Sequence, residues 1–190
     1  MHLAGAVCQA GNARLDKAPP VPYHGGMLVY HGSNVAVESP RLIAPNRALD
    51  FGSGFYTTVN LEQAESFAGN VVNRNEGRGI PTVSYYEVDF DKMLRELSVL
   101  KFDRPDDNWI DFVHANRTLK YDGKLYDIVI GPVANDTLYR VFRLFENGDI
   151  DRETVIKRLK ITKLFNQMAF RTDRAVAELK FVKSGTVGNG

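Results

Sequence analysis

Met27-Leu28-Val29-Tyr30-His31-Gly32-Ser33 opens the folded part of the chain, four apolar residues running into a histidine and a glycine. Such a run predicts a short buried strand. Outward from it, Phe55-Tyr56-Thr57-Thr58 is a second extended piece, preceded by the glycines of Gly52-Ser53-Gly54. Asn60 then caps a helix over 61–69, with Ala64, Phe67 and Ala68 on one face. Strands are expected at 82–88 and 97–102, and Asp106 or Asp107 opens a helix reaching residue 116. Tyr126-Asp127-Ile128-Val129-Ile130 is an almost wholly apolar strand ended by Gly131-Pro132. Two helices follow, 136–146 and 153–160, each with apolar residues at three- and four-residue spacing. Gln167-Met168-Ala169-Phe170 is a short strand, Thr172 caps a helix through Val176 and Leu179, and Phe181-Val182 forms the last strand. Strands and helices mixed in this irregular order indicate an α+β fold.

Composition narrows the class. The chain has 190 residues and a formal net charge of +1, with 44% hydrophobic and 25% charged residues. That suits one globular domain and argues against a dedicated nucleic-acid binder, which carries a strong basic excess. A single cysteine, Cys8, leaves no intramolecular disulfide framework, so a reducing cytoplasm is the expected compartment. No apolar run approaches the roughly 20 residues of a membrane span. Residues 1–26 lack periodicity and are rich in Gly, Ala and Pro, an expected flexible arm. The domain is expected over 27–183, with 184–190 as a flexible tail. Residues 139–184 hold 11 basic and 6 acidic side chains, which reads first as solvated helix faces.

Familiar catalytic signatures fail here. Gly52-Ser53-Gly54 lacks the third glycine of the dinucleotide fingerprint and leads into a strand, not a helix. The sequence holds no P-loop, paired-histidine zinc motif or Gly-x-Ser-x-Gly elbow, and no metal site is expected. The acidic run Asp103, Asp106, Asp107, Asp111 lacks the glycine and terminal glutamate of a calcium loop and reads as helix capping and surface. Trp109 reads as core.

What remains is His31-Gly32-Ser33 at a strand end, Tyr56 just after a glycine pair, and Gln167 at the head of a strand. Together and in this order they resemble the ADP-ribosyltransferase superfamily, in its diphtheria-toxin-like and poly(ADP-ribose)-polymerase-like His-Tyr branch. More closely, the chain resembles a bacterial family of unknown function with an ADP-ribosyltransferase-like fold. The carrying segments are Leu28-Val29-Tyr30-His31-Gly32-Ser33, Asp50-Phe51-Gly52-Ser53-Gly54-Phe55-Tyr56-Thr57-Thr58, the Gln63-Ala64 helix, Asp127-Ile128-Val129-Ile130-Gly131-Pro132-Val133-Ala134-Asn135-Asp136 and the Gln167 strand. The likeness covers nearly all of 27–183.

The resemblance implies a split two-sheet fold with flanking helices and a central cleft for NAD⁺ as co-substrate. His31, Tyr56 and Gln167 would be catalytic, and His31, Gly32, Ser33, Gly54, Tyr56 and Thr57 would bind the dinucleotide. His31 would meet the adenosine-side ribose, the Gly32 backbone the nicotinamide carboxamide, and Tyr56 the nicotinamide ring. Gln167 departs from the catalytic glutamate of the active branch, because an amide accepts a hydroxyl hydrogen bond but is neither charged nor a general base. Mono-ADP-ribosylation is therefore expected rather than chain elongation, with Asp127 and Asp136 as auxiliary carboxylates that read more simply as turn and cap residues. The acceptor would be a protein or nucleic acid. By family analogy the protein would be a bacterial toxin or effector, cytoplasmic or delivered into a target cell, with an antitoxin or immunity protein as partner and no membrane association. The alternative is a catalytically weak or inactive NAD⁺- or ADP-ribose-binding module. A third reading, an RNA 2′-phosphotransferase relative, would want several arginines, and none is adjacent in sequence to His31 or Tyr56.

Overall fold

Antiparallel pairing organises almost the whole molecule. The computed structural model describes residues 26–43, 48–133, 136–161 and 166–188. In chain order the elements are β1 (Met27–Ser33), β2 (Phe55–Thr58), α1 (Leu61–Arg74), β3 (Thr82–Val88), α2 (Phe90–Glu96), β4 (Val99–Lys101), α3 (Asp107–Arg117), β5 (Ile128–Pro132), α4 (Asp136–Glu146), α5 (Arg152–Ile161), β6 (Asn166–Phe170), α6 (Asp173–Val176) and β7 (Lys180–Thr186). The strands form one sheet in the order β4-β5-β6-β2-β1-β3-β7. Only β4 and β5 run parallel, and α3 crosses between them as a parallel pair requires.

Two separate sheets were expected, and the difference is instructive. β1 pairs with β3 at every residue from Met27↔Val88 to Ser33↔Thr82. Its other edge keeps one registered pair with β2, Tyr30↔Thr58. The sheet is continuous through that single contact, which makes the β1–β2 boundary a seam rather than a gap. On the far side of the seam β2 pairs fully with β6, from Phe55↔Phe170 to Thr58↔Gln167.

Alternation along the strands sorts the core into two layers. Val129, Ala169 and the partly buried Tyr56 pack with Phe51, Phe102, Trp109, Phe112 and Val155 under α3 and α5. Val29, Phe55, Tyr86, Ile128, Ile130, Met168 and Phe170 face the other way, onto Met93 of α2 and Ala175 and Val176 of α6. Trp109 is fully buried, as the sequence predicts. α1 covers β1 through Ala64, beside Tyr30, Val83 and Tyr85.

Local chemistry fixes the helix starts. Asn60 Oδ1 accepts from Gln63 N at 2.8 Å, Asp106 Oδ1 from Trp109 N at 3.1 Å and Thr172 Oγ1 from Ala175 N at 3.4 Å. α2, capped by Asp89 through Lys92 N, was not anticipated, because seven residues are too few to display a helical period. α6 stops at Val176, short of the expected Leu179. β7 runs to Thr186, three residues into the stretch expected to be tail, held there by its pairing with β3. The acidic run on α3 does surface work: Arg152 of α5 bonds Asp107 at 3.2 Å and also pairs with Asp111.

Candidate functional site

His31 stands on β1 beside the seam. Its Nδ1 lies 2.7 Å from the Tyr56 carbonyl oxygen on β2, so the imidazole bridges the strands where the ladder has stopped. A carbonyl only accepts, so Nδ1 carries the proton and Nε2 presents a lone pair. The ring stacks on Phe55, with centroids 4.3 Å apart and 28° between planes. Burial pulls the imidazole pKa below its ordinary value, opposed by the bond to Tyr56. The neutral form with Nδ1–H is therefore the resident species at neutral pH.

Tyr56 is held at its far end. Its hydroxyl donates to the Gly52 carbonyl at 2.6 Å and accepts from Phe51 N–H at 3.1 Å. The turn that supplies both partners depends on Gly52, at φ +75°, where a side chain is disfavoured. The ring is partly buried against the Phe51 cluster.

Gln167 lies on β6, opposite Thr58 on one side and Gly131 on the other. It is buried, and its Nε2 has no hydrogen-bond partner among the described residues. Beside it, Thr58 Oγ1 donates to the Asn166 carbonyl at 3.0 Å, lies 2.7 Å from Gln63 Oε1 and accepts from Asn60 N–H, tying the head of α1 to β2 and β6.

The fold divides the predicted residues between two faces. Because successive side chains alternate, His31, Ser33 and Thr57 share the face of Phe55, while Gly32, Gly54, Tyr56 and Gln167 share the other. The two sets meet along the β1–β2 seam. Thr57 Oγ1 is buried without a partner among the described residues. Among the described residues Ser33 Oγ reaches only Asn34 Oδ1, at 3.4 Å. Gly32 serves a purpose the sequence reading did not assign. A Cβ there would stand 2.1 Å from the Ala64 carbonyl and 2.8 Å from Ala68 N, so on that face α1, not a ligand, fills the space.

Asp127 is a structural hub. It accepts from Ser98 N–H at 2.8 Å, Ser98 Oγ at 2.7 Å and Thr172 Oγ1 at 2.7 Å, and it pairs with Arg174. Arg174 first, then these hydrogen bonds, hold its carboxyl well below the usual range against the cost of burial. It is saturated, which fits the turn reading rather than the auxiliary one. The side chain of Asp136 lies outside the described residues, as do Ala134, Asn135, residues 1–25 of the expected arm and the final tail residues 189–190.

Sequence reasoning missed Arg171. Its chain position is remote from Tyr56, but Phe55↔Phe170 pairing brings it against the Gly52-Ser53-Gly54 turn. No local motif signals this; only strand register does. Among the described residues there is no group of three or more His, Cys, Asp or Glu able to hold a metal ion, and no helix long and apolar enough to cross a membrane.

No curated protein matches the chain. A family model described as "Protein of unknown function (DUF3990)" matches residues 27–181, β1 through the start of β7. Across that span, which carries β1 to β6 whole and each residue of the seam, the chain belongs to the DUF3990 family.

Proposed function

We propose that the protein is a NAD⁺-dependent mono-ADP-ribosyltransferase whose dinucleotide sits across the β1–β2 seam. The observation that carries this reading is the adjacency of three strands, β6, β2 and β1, bearing Gln167, Tyr56 and His31, with an imidazole spanning the one place where the sheet is barely joined. The resemblance in sequence supplies the activity; the seam geometry suits it.

Each group has a task that its environment supports. His31, proton-bearing at Nδ1, accepts a ribose hydroxyl at Nε2. Tyr56, pinned through its hydroxyl, offers a ring face for the nicotinamide without having to order itself on binding. Backbone groups at the β1 edge pair with the carboxamide. The bond between ribose C1′ and the nicotinamide nitrogen breaks, and nicotinamide leaves with the bonding electron pair. An acceptor nucleophile forms the new bond to C1′ and its proton passes to water, since the Gln167 amide cannot take it. Gln167 orients the ribose 2′-hydroxyl and contributes no charge to the oxocarbenium-like transition state.

The experiment is nicotinamide release and macromolecule labelling from NAD⁺ in lysate. His31→Ala and Tyr56→Ala are each expected to lower the rate at least a hundredfold. Unchanged rates in both would reject the site. The neutrality of Gln167 favours one second reading, a module that binds NAD⁺ or ADP-ribose without turnover. Calorimetric binding with no nicotinamide released would select it.

A further inference from the structure

Arg171 directly follows β6, and alternation sets its side chain on the face of Tyr56 and Gln167. The guanidinium lies against the Gly52-Ser53-Gly54 turn. A Cβ on Gly52 would stand 3.0 Å from Arg171 Nη2 and 2.5 Å from Asn116 Oδ1, and one on Gly54 would stand 3.3 Å from Arg171 Cγ. Its central carbon is 5.8 Å from the centroid of the Tyr121 ring. Nε and Nη1 are shielded from solvent and have no hydrogen-bond partner among the described residues. The groups acting on its charge are burial, which disfavours it, and the phenols of Tyr56 and Tyr121; no carboxylate is among them.

An arginine remains charged under any physiological condition, so this charge is partly desolvated with no carboxylate among the described residues to offset it. The other half-buried cation of this region, Arg117, has a carboxylate near it, Asp50 at 3.7 Å. Among the described residues no carboxylate acts on Arg171, and because Gly52 and Gly54 lack a Cβ its guanidinium packs directly against the turn, beside Asn116 Oδ1. Planar guanidinium donors set against a Gly-Ser-Gly turn suit a phosphoryl anion.

We propose that Arg171 and the Gly52-Ser53-Gly54 turn form a phosphoryl-anion subsite, occupied by the diphosphate of NAD⁺. The second half of that statement rests on the NAD⁺ reading above; the first does not. The turn is two residues from Tyr56 and holds its hydroxyl, so a dinucleotide whose nicotinamide meets that ring brings its diphosphate within reach of the same face.

The test uses the full chain with inorganic pyrophosphate and NAD⁺ as separate titrants, in wild type, Arg171→Met and Arg171→Lys. Pyrophosphate is expected to bind wild type, to weaken at least tenfold in Arg171→Met and less in Arg171→Lys, and to compete with NAD⁺. The unfolding temperature of Arg171→Met is expected to equal or exceed wild type, because an apolar side chain replaces an uncompensated charge. A lowered unfolding temperature with unchanged pyrophosphate affinity would make Arg171 a packing residue for Tyr121 and overturn the subsite. Pyrophosphate binding that depends on Arg171 but does not compete with NAD⁺ would overturn the diphosphate assignment and point to a phosphate on the acceptor. NAD⁺ turnover with unchanged KM in Arg171→Met would sink the subsite and leave the transferase standing. Arg171-dependent pyrophosphate binding without any NAD⁺ binding would do the reverse.

Discussion

At Gln167 the chemistry proposed for the seam turns on a single atom type. The side chain is 8% exposed and its amide nitrogen lacks a partner among the described residues, so the position already carries a desolvated donor. Gln167→Glu exchanges that donor for a carboxylate of nearly the same shape. Two opposing effects follow. Burying the charge is expected to lower stability by about 1–3 kcal/mol, while a negative charge beside the developing ribose cation is expected to raise NAD⁺ hydrolysis at least tenfold. Nicotinamide release and thermal unfolding, measured on the same preparation, separate the two. A stability loss with no gain in hydrolysis would remove Gln167 from the reaction centre. The strand positions of His31, Tyr56 and Gln167 were legible in the sequence because each sits in a short motif. Arg171 was not, because its place beside Gly54 comes from β2–β6 register, which no local pattern encodes.

Among the elements, α1 and β1 show why a glycine is read more safely as needed than as needed for a stated reason. The sequence marks Gly32 as a place of close approach, and the approach is real, but on its face the neighbour is the backbone of α1. Backbone cannot swing aside as a flexible side chain does. Gly32→Ala is therefore expected to destabilise by about 1–3 kcal/mol, a fall in unfolding temperature of about 5 °C, as α1 is pushed from the sheet. Ser33→Ala, which loses only a 3.4 Å contact to Asn34, is the control and is expected to stay within about 0.5 kcal/mol of wild type. An equal effect in both would show that α1 yields without cost. Most other elements could be read from caps and periodicity. Those that could not were short or edge-on: α2 has too few residues for a period, and β7 is largely exposed, so hydrophobic alternation does not reveal its extent.

Across the whole molecule, two well-paired blocks of strand share one registered β1–β2 contact, so much of the integrity of the β4-β5-β6-β2 block must come from links between its own elements. Asp127 is the densest of these links. It joins Ser98 before β4, Thr172 at the cap of α6 and Arg174 within α6, from the residue that precedes β5. Its pKa in the folded protein is far below that of the unfolded chain, near 3.9. The sign follows from proton counting. Between the two values the unfolded chain binds more protons, so stability rises with pH there, is complete above the unfolded value and is lost as pH falls toward the folded one. His31 adds a slope of the same sign below its ordinary value near 6.5, because burial favours its neutral form. Asp127→Asn keeps the shape, removes the charge and does not titrate in this range. It is expected to cost about 2 kcal/mol at pH 7, a discounted figure because Arg174 is mostly exposed. Urea unfolding of wild type and variant at stepped pH values should give curves that are separated at neutral pH and converge below about pH 4. A gap that stays constant down to pH 3 would mean that the carboxylate charge contributes nothing, and that the hub holds by shape and neutral hydrogen bonds alone.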